Sequence, residues 1–511
     1  MSQRKSLILD RNVDTQIQAT MSASYETKES TADRSKFAGA DGENVPPADK
    51  FCRFDRWLLA SGAKFSKLEL RDYGDEVRGC HATCPVEEDE IIIEIPLKCL
   101  ITVEMGQETE IGQKILSSNI ELDAPKHIFL MVFMLLDMKN PSSFFRPYYD
   151  ILPPTLSNMP IFWQPQELAY LQGSFLLTQI DERKQAIEAD YHAICNIAPE
   201  FGRLATLDEF KWARMCVCSR NFGLIINGLR TAALVPYADM LNHYRPRETK
   251  WQFDHHLQGF TIVAMQGIGN GMQVYDSYGQ KCNHRFLLNY GFSVETNVEP
   301  DGFCPNEVPV LLQLRNNDPL YDFKCSFFRR ESFLPSKRLR VCVAENESFH
   351  TMLTFLRIIV ADQDDINQLT ERSSGHLSGG SGGVMESRAG RDMQSALNEA
   401  NETRAMRLLE ATMKQYLAAY PDSFEKDSDR LANDKHLAPF SNERHAVIQV
   451  KGEKAVLNFF LEFSQTVLHL LSIRNSDLYR SELRAVQENT KNQCLFMYIR
   501  GNLNAIRPNG R

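Results

Sequence analysis

Apolar and polar positions change their spacing several times along this chain. Residues 1 to about 50 are polar and show no sustained periodicity, so this segment is predicted to be a disordered tail. Apolar side chains at residues 54–59 fit one face of a short helix, and the dense apolar run at 91–95, closed by Pro96, is typical of a strand. The pattern therefore predicts that folded structure begins at about residue 51 and that its first part is β-sheet.

A long helical block follows these strands. Helical spacing of apolar residues extends from about 103 to 221. Strand-like runs then resume, at 232–235, 260–265 and 273–278. Because strands lie on both sides of the helices, we interpret the block as an insert of about residues 105–231 within a β domain that spans residues 51–297.

The last third of the chain has the spacing of helices. Residues 397–420 and 447–471 are two candidate helices, the second broken near Gly452. A stretch rich in Ser and Gly predicts a flexible linker at about 372–395. The expected organisation is α+β, with residues 298–511 forming an all-α C-terminal domain.

Length and charge narrow the class of protein. With 511 residues the chain exceeds one ordinary hydrophobic core, and a net charge of -9 repels phosphate backbones, so we expect no direct nucleic-acid partner. The basic cluster between Arg329 and Arg340 is interpreted as a solvated face.

The first thirty residues lack a secretion signal, and the longest apolar stretch, 127–138, is too short to span a bilayer. We therefore expect a monomer in the cytoplasm, with the nucleus as the alternative, and no membrane partner.

The cysteines and glycines do not form a familiar ligand site. Twelve cysteines are irregularly spaced, which favours reduced thiols, and the only close pairs lack partner pairs at zinc-finger spacing, so no metal is predicted. The pairs are Cys80 with Cys84 and Cys216 with Cys218. Gly267, Gly269 and Gly271 stand between two strands rather than before a helix, so they are interpreted as a hairpin turn and not as a phosphate-binding loop.

Three motifs are more specific than the rest of the chain. They are RGCHAT at 78–83, LVPYADMLNH at 234–243 and YDSYGQKCNHRFLLNYGF at 275–292. In this order and separation they resemble the SET-domain protein methyltransferases, in the branch that contains plant Rubisco large-subunit lysine methyltransferase and animal actin-histidine methyltransferase. The resemblance implies a SET β-fold domain split by a helical insert, a helical C-terminal substrate-binding domain, and S-adenosyl-L-methionine as the cofactor.

The resemblance also implies which residues contact the cofactor. A zwitterionic cofactor with a sulfonium needs polar acceptors near its amine and a cation near its carboxylate, for which the fork of an arginine is suited. The residues that match the family positions lie in four segments. They are Glu76, Val77 and Arg78, then Arg220, then Asp239, Asn242 and His243, and then Tyr278 and Phe292.

Tyr278 matches the catalytic tyrosine of the family. Methyl transfer is an in-line displacement, so the enzyme must align a neutral nitrogen lone pair with the methyl carbon, and a tyrosine hydroxyl can hold either partner. Phe222, Ala238 and Tyr290 are the implied lining of the substrate channel. Tyr290 resembles the lysine-specific members, and Ala238 stands where the actin-histidine enzyme has a tryptophan, so lysine is favoured over histidine.

The function predicted from the sequence is therefore a protein-lysine N-methyltransferase that acts on a segment of a non-histone protein. The alternatives are a protein-histidine N-methyltransferase and a catalytically silent SET relative that serves as a protein-binding adaptor. Retention of Arg220, Asn242, His243 and Tyr278 argues against the silent adaptor.

Overall fold

The structure, a computed structural model, describes residues 49–74, 77–330, 336–344, 346–374, 395–489 and 493–507. The predicted disordered tail lies outside these residues except for 49 and 50, which are helical, and nearly all of the predicted linker lies outside them as well. The chain divides into two compact units, called here the first and second units. The first consists of Met1–Ile101, Asp137–Pro153 and Phe222–Ser277, and the second of Thr102–Leu136, Pro154–Asn221 and Tyr278–Arg511. The domain boundaries expected from the sequence, at 51–297 and 298–511, stay a prediction.

The first unit contains most of the strands. It begins with helix α1 (Asp49–Ala60) and includes the short helix α5 (Arg146–Tyr149). The strands up to residue 277 are β1 (Leu68–Gly74), β2 (Val77–Ala82), β3 (Ile91–Pro96), β4 (Ile101–Thr102), β5 (Asn221–Ile226), β6 (Leu229–Leu234), β7 (Asn242–His243), β8 (Thr249–Asp254), β9 (Gly259–Ala264) and β10 (Tyr275–Asp276).

These strands form several small sheets rather than one large sheet. β1 pairs with β2, β9 lies between β3 and β8, and β6 lies between β4 and β5. β3, β8 and β9 are antiparallel, whereas β7 and β10 pair in parallel. In β3 the alternation of exposed and buried residues is weak because Ile92, Ile93 and Ile95 are all buried. The core of this unit also includes the stacked rings of Phe65 and Tyr237, with centroids 3.9 Å apart.

Strands resume earlier than the sequence pattern indicated. The insert helices end at Arg220, and β5 and β6 form a hairpin around Asn227 and Gly228, both with positive φ. Asn-Gly is the dipeptide preferred at the two central positions of such a turn. The insert boundary expected near residue 231 therefore falls at Arg220.

The glycine-rich segment does not close a hairpin, so that interpretation was wrong. β9 before it pairs with β3 and β8, whereas β10 after it pairs with β7. Within the segment Ile268 forms an isolated bridge with Val86 instead. The segment is a turn between strands of two sheets, because the partners of both strands are distant in the sequence.

The second unit contains the helical insert and the C-terminal helices. The insert helices are α2 (Val103–Glu108), α3 (Glu110–Ser117), α4 (Pro125–Asp137), α6 (Pro165–Leu168), α7 (Leu176–Ile197), α8 (Phe201–Leu204) and α9 (Leu207–Arg220). The later helices are α10 (Asn283–Tyr290), α11 (Tyr321–Arg330), α12 (Glu347–Ile359), α13 (Gln363–Ser374), α14 (Glu399–Leu417), α15 (Phe424–Asn433), α16 (Asn442–Ser472), α17 (Ser476–Asn489), α18 (Gln493–Tyr498) and α19 (Asn504–Ile506). Side chains of Thr206, Asn398 and Ser441 cap α9, α14 and α16 by accepting from backbone N–H groups, as helix starts require.

The C-terminal region is helical, as expected, but the prediction that it contains no strand was wrong. β11 (Glu307–Gln313) and β12 (Ser336–Cys342) form an antiparallel pair. Val308, Val310 and Leu312 are buried on one face of β11. The charged residues of β12 hid this strand, because Arg338 and Arg340 are exposed while their neighbour Val341 is buried. The basic cluster is thus in part the solvated face of a strand, as interpreted from the sequence.

Helix α16 continues through Gly452, so the predicted break there was wrong. A Cβ at Gly452 would lie 2.9 Å from Nδ2 of Asn306, and the glycine therefore permits a close approach within an unbroken helix. Among the described residues, α16 is the one helix long and apolar enough to cross a membrane by length and composition, and 44% of its most apolar window is buried. Core helices meet the same criterion, so this property assigns no membrane role.

Candidate active site

Two predicted cofactor segments meet within the first unit. The side-chain amide of Asn242 donates to the carbonyl oxygen of Arg78 at 2.9 Å, across a sequence separation of 164 residues. The Arg78 guanidinium donates to the carbonyl oxygen of Ile151 at 2.5 Å, which fixes the direction of its side chain. Arg78 and Asn242 are both partly buried.

Parallel pairing of β7 with β10 holds the Asn-His pair. Asn242 lies beside Tyr275, and His243 lies beside Asp276. Parallel strands need a long connection between them. Here the connection from β7 to β10 contains β8 and β9, which belong to another sheet. The structure thus places the second predicted motif directly beside the start of the third.

A strained turn precedes the Asn-His pair. Tyr237 has φ of 76° and ψ of -47°, a conformation that a bulky residue rarely adopts. Its buried ring is stacked between Phe65 and Phe54. Packing therefore fixes the turn and with it the positions of the next two residues. Ala238 is 1% exposed, and Asp239 accepts a hydrogen bond from the hydroxyl of Tyr148 at 2.9 Å.

A hydrogen-bonded chain behind Asn242 was not predicted from the sequence. The Asn242 amide also donates to Oε1 of Gln273 at 2.8 Å, and Nε2 of Gln273 lies 3.4 Å from the hydroxyl of Tyr73. The same hydroxyl contacts Nε2 of His81, whose Nδ1 lies 2.9 Å from the carbonyl oxygen of Gly271. Burial lowers the pKa of His81, so its imidazole is held neutral at this place. In the sequence, the only indication of this series of hydrogen bonds was the unusual His81 after the Arg-Gly turn.

Gly79 makes room for this chain. A Cβ at Gly79 would lie 2.5 Å from the hydroxyl of Tyr73 and 2.9 Å from Oε1 of Gln273. Both distances are below ordinary van der Waals contact. The Arg-Gly pair of the first motif is therefore required by close packing against the network that positions Asn242.

Three predicted aromatic residues meet within the second unit. The ring of Tyr278 stacks on that of Tyr290 at 4.9 Å, and the ring of Phe292 lies 6.2 Å from Tyr278. Helix α10 ends at Gly291, which adopts the left-handed conformation with φ of 79°, and this turn directs Tyr290 and Phe292 to the same ring. All three side chains are partly exposed rather than sealed in the core.

An ammonium of the chain lies beside these rings. Nζ of Lys281 is 5.7 Å from the centroid of the Tyr290 ring and also donates to the carbonyl oxygen of Tyr278. Aromatic faces attract cations at this range. The aromatic group can therefore accommodate an amine.

The remaining predicted residues have simpler settings. Arg220 is the last residue of α9 in the second unit and is partly buried. Phe222 packs edge-on against Trp251 and Phe260, with centroids 5.3 and 4.9 Å away, so it supports the sheet of the first unit. Val77 begins β2, and Glu76 lies outside the described residues.

The structure thus brings together Arg78 with Asn242, and separately Tyr278 with Tyr290 and Phe292. The first set belongs to the first unit, and the second set, like Arg220, belongs to the second unit. The convergence of both sets on one channel stays a prediction.

Comparisons with known proteins agree with the resemblance seen in the motifs. Residues 315–457 match the family model described as Rubisco LSMT substrate-binding. Actin-histidine N-methyltransferase of Xenopus tropicalis is 26% identical over 390 residues, which cover 74% of this chain and 64% of that protein. The human protein of the same name is 24% identical over 395 residues, covering 75% and 64%. The matched part of this chain thus spans less than two thirds of the length of these relatives.

Solved structures agree with the fold. A structure of the SET domain of LSMT bound to lysine and AdoHcy superimposes with a TM-score of 0.68 at 20% identity, covering 89% of this chain and all of that chain. A structure of Rubisco LSMT bound to AdoMet gives a TM-score of 0.67 with the same identity and coverage. The resemblance to this branch is confirmed, and the chain has the α+β fold of the LSMT SET structures with a helical C-terminal region that matches the LSMT substrate-binding family.

Proposed function

We propose that this protein transfers a methyl group from S-adenosyl-L-methionine to a side-chain nitrogen of another protein. The observation that carries the proposal is the hydrogen bond from the Asn242 amide to the Arg78 carbonyl oxygen, which joins two of the cofactor segments implied by the motifs. The relatives and structural neighbours, which are methyltransferases by name, support the same activity.

The donor set suits the cofactor. Carbonyl oxygens of β2 and the amide oxygen of Asn242 offer acceptors for an ammonium, one charged end of an amino-acid zwitterion. Arg220 matches the family position of the cation that would pair with the carboxylate at the other end. Asp239 lies just before β7 and His243 within it, and both match cofactor positions implied by the motifs. When bound, the cofactor supplies an electrophilic methyl group on a sulfonium.

The aromatic group of Tyr278, Tyr290 and Phe292 would receive the target nitrogen. A free lysine has a pKa near 10.4, so it must lose its proton before it can attack. Burial of the amine away from water, beside the positive sulfonium of the cofactor, disfavours the charged form and lowers that pKa. Tyr278 would then orient the neutral nitrogen through its hydroxyl, so that alignment rather than a strong base provides most of the rate enhancement.

Lysine is our first choice for the target. The Tyr278–Tyr290 stack lies beside the ammonium of Lys281, which indicates that this aromatic surface tolerates a lysine side chain. Ala238 also leaves less bulk than a tryptophan before Asp239. Histidine is the second candidate, and the names of the relatives support it.

The expected partner is an exposed peptide segment of a protein, docked with the help of residues 315–457. We propose that the protein works as a cytoplasmic monomer without a nucleic-acid or membrane partner. These four properties are inferred from the sequence alone.

The test is a comparison of two tyrosine variants in methylation of fractionated lysate proteins with labelled cofactor. Tyr278→Phe should lower kcat by about 100-fold or more, because a positioned donor typically contributes this much. Tyr170→Phe, which alters a tyrosine 40% exposed in the insert, should retain the activity of the unaltered protein. Full activity of Tyr278→Phe would remove its assigned role, and amino-acid analysis of the labelled product distinguishes methyl-lysine from methyl-histidine.

Calorimetry with the cofactor separates an enzyme from a silent adaptor. Asn242→Ala and Arg220→Ala should each weaken binding by about 10-fold or more, since a hydrogen bond to a charged group contributes about 1.5–3 kcal/mol. A well-folded unaltered protein that binds no S-adenosyl-L-methionine would favour the adaptor and overturn the proposal.

A further inference from the structure

Three potential metal ligands lie together where α10 and β11 begin, within the second unit. Cys282 is the residue just before α10, His284 is in its first turn, and Glu307 is the first residue of β11. Cys282 and His284 are buried, at 4% and 3% exposed, and Glu307 is partly buried. None of these residues belongs to the proposed methyltransferase machinery.

The three donor atoms form a compact triangle. Sγ of Cys282 is 3.4 Å from Nε2 of His284 and 3.8 Å from Oε1 of Glu307, and the latter two atoms are 3.7 Å apart. A tetrahedral Zn²⁺ ion, bound at about 2.3 Å to sulfur and about 2.0–2.2 Å to nitrogen and oxygen, separates such donors by about 3.4–3.6 Å. Shifts of a few tenths of an ångström would therefore complete the geometry.

The chemistry of the donors favours zinc over other common ions. A thiolate is a soft ligand that magnesium and calcium do not prefer, whereas thiolate, imidazole and carboxylate together are typical of Zn²⁺. Loss of the Cys282 proton on binding would give one thiolate and one carboxylate, whose two negative charges balance the charge of the ion. Charge balance at a partly buried position matters because an uncompensated ion is costly there.

The surroundings of the triangle are polar. The same recess is lined by Asn283, Asn306, Gln449 and Glu453 in addition to the three donors. Asn306 is fixed next to Glu307, because its Oδ1 accepts from the backbone N–H of Asn283 at 3.0 Å and from Nδ2 of Asn297 at 2.7 Å. Such outer contacts orient the ligands in metal sites.

One nearby cation competes for the carboxylate. Nη1 of Arg340 lies 3.1 Å from Oε1 of Glu307. The Arg340 side chain is 58% exposed, so it can yield to an ion at little cost, because exposed ion pairs contribute little to stability. Cys342 lies opposite Glu307 in the β11–β12 register.

We propose that Cys282, His284 and Glu307 bind a Zn²⁺ ion. The ion would link the start of α10 to the start of β11. Its role would be structural, because the free energy of metal binding adds to the free energy of folding. Helix α10 ends at Tyr290, which stacks on Tyr278, so the site would also steady that aromatic pair. Nothing in the spacing of cysteines along the chain indicated this site, because Glu307 approaches only through the fold.

The test measures zinc directly on the full-length protein. Protein purified without chelators should contain stoichiometric zinc by mass spectrometry of the metal, and removal of the ion should lower the melting temperature. Cys282→Ser and His284→Gln should each weaken Zn²⁺ binding by more than about 10-fold, since even outer-contact mutations cost that much. Cys325→Ser, at a buried thiol on α11, and Cys342→Ser should bind as the unaltered protein does.

Cobalt provides a readout that does not depend on variant folding. Substitution of Co²⁺ into the unaltered protein should give the near-ultraviolet charge-transfer band of a thiolate–cobalt bond, and excess Zn²⁺ should remove it. Absence of that band, or zinc binding unchanged in both Cys282→Ser and His284→Gln, would overturn the proposal. Neither outcome depends on methyl transfer, so this site can fail while the proposed activity stands.

Discussion

At the scale of single residues, hydrogen bonds and close packing explain why the first motif contains Arg-Gly. The carbonyl of Arg78 accepts from Asn242, and the missing side chain of Gly79 leaves space for Tyr73 and Gln273. Gln273 in turn accepts from Asn242. The orientation of the Asn242 amide thus depends on a residue with no side chain of its own.

Gly79→Ala should therefore damage the site. The added methyl would push against Tyr73 and Gln273, and we expect a loss of about 1–3 kcal/mol in the free energy of unfolding, as for other overpacked positions. Weaker binding of S-adenosyl-L-methionine should accompany it in calorimetry. Gly267→Ala is the control, because its nearest neighbour lies at an ordinary 3.7 Å. Equal behaviour of both variants would contradict the packing argument.

A second residue, His445, should make stability depend on pH. Burial lowers its pKa to about 4 in the folded protein, and its Nδ1 accepts from the backbone N–H of Ser293 at 3.1 Å. The unfolded chain, with a histidine pKa near 6.5, binds more protons between these two values. The free energy of unfolding should therefore fall as pH drops from about 6.5 to 4, by up to about 3 kcal/mol from this residue.

Urea titrations across this pH range check the sign. His445→Gln retains an acceptor for Ser293 but does not titrate, so its loss of stability towards pH 4 should be smaller than that of the unaltered protein. His469→Gln, at a side chain 59% exposed, should leave the pH profile unchanged. A steeper acid loss in His445→Gln than in the unaltered protein would contradict this assignment.

At the scale of elements, buried polar groups connect the C-terminal helices. Arg357 of α12 forms a two-pronged ion pair with Glu402 of α14, at 2.8 and 2.9 Å, and both side chains are fully buried. Tyr498 of α18 also donates to Glu402, and Asn502 accepts from Arg357 at 2.9 Å. Each of these side chains forms a hydrogen bond with a group on another element. These bonds select one arrangement of the helices, which apolar contacts alone would not specify.

Glu402→Gln should reveal the cost of this arrangement. The neutral amide would leave the buried Arg357 charge without a counterion, for which a loss of about 3–5 kcal/mol in the free energy of unfolding is expected. Asp477→Asn removes the partner of Arg480 in a pair whose side chains are 91% and 56% exposed, and it should change stability by less than about 1 kcal/mol. Chemical denaturation measures both, and similar small losses would refute the role of the buried pair.

At the scale of the whole molecule, charge sets the class of partner. A net charge of -9 favours association with basic peptides and opposes polyanions. Among the described side chains of β12, Arg338 and Arg340 are exposed, and two cations do not reverse a net charge of -9. The prediction of no nucleic-acid partner thus rests on the net charge of the entire chain.

Gel-shift titration with duplex DNA at low salt checks this expectation. Non-specific DNA-binding proteins have dissociation constants of about 10⁻⁴–10⁻⁶ M even at physiological salt, so protein at about 10 µM should leave the duplex unshifted. A basic protein of similar mass serves as the positive control. A shift that disappears as salt is added would show that a local basic surface outweighs the net charge.

Local patterns predicted the order of elements, and the motifs named residues that the structure brings into contact, such as Asn242 with Arg78. The helical insert, the resumption of strands and the C-terminal helices follow from apolar spacing, and the LSMT-like fold followed from motif order. Strands β5, β8, β11 and β12 were missed, and in β8 and β12 charged residues obscure the period of two. Gly452 was misjudged since its neighbour Asn306 approaches from another element.

By itself the sequence determined which residue types are present, which segments are helical and which motifs resemble a known branch. Only the tertiary structure decided that Asn242 contacts Arg78, that Tyr278 stacks on Tyr290, and that Cys282 and His284 face Glu307. The physical reason is the distance along the chain over which each kind of interaction acts. Periodicity and caps act over a few neighbouring residues, whereas hydrogen bonds, ring stacking and metal coordination depend on distances between atoms that are far apart along the chain.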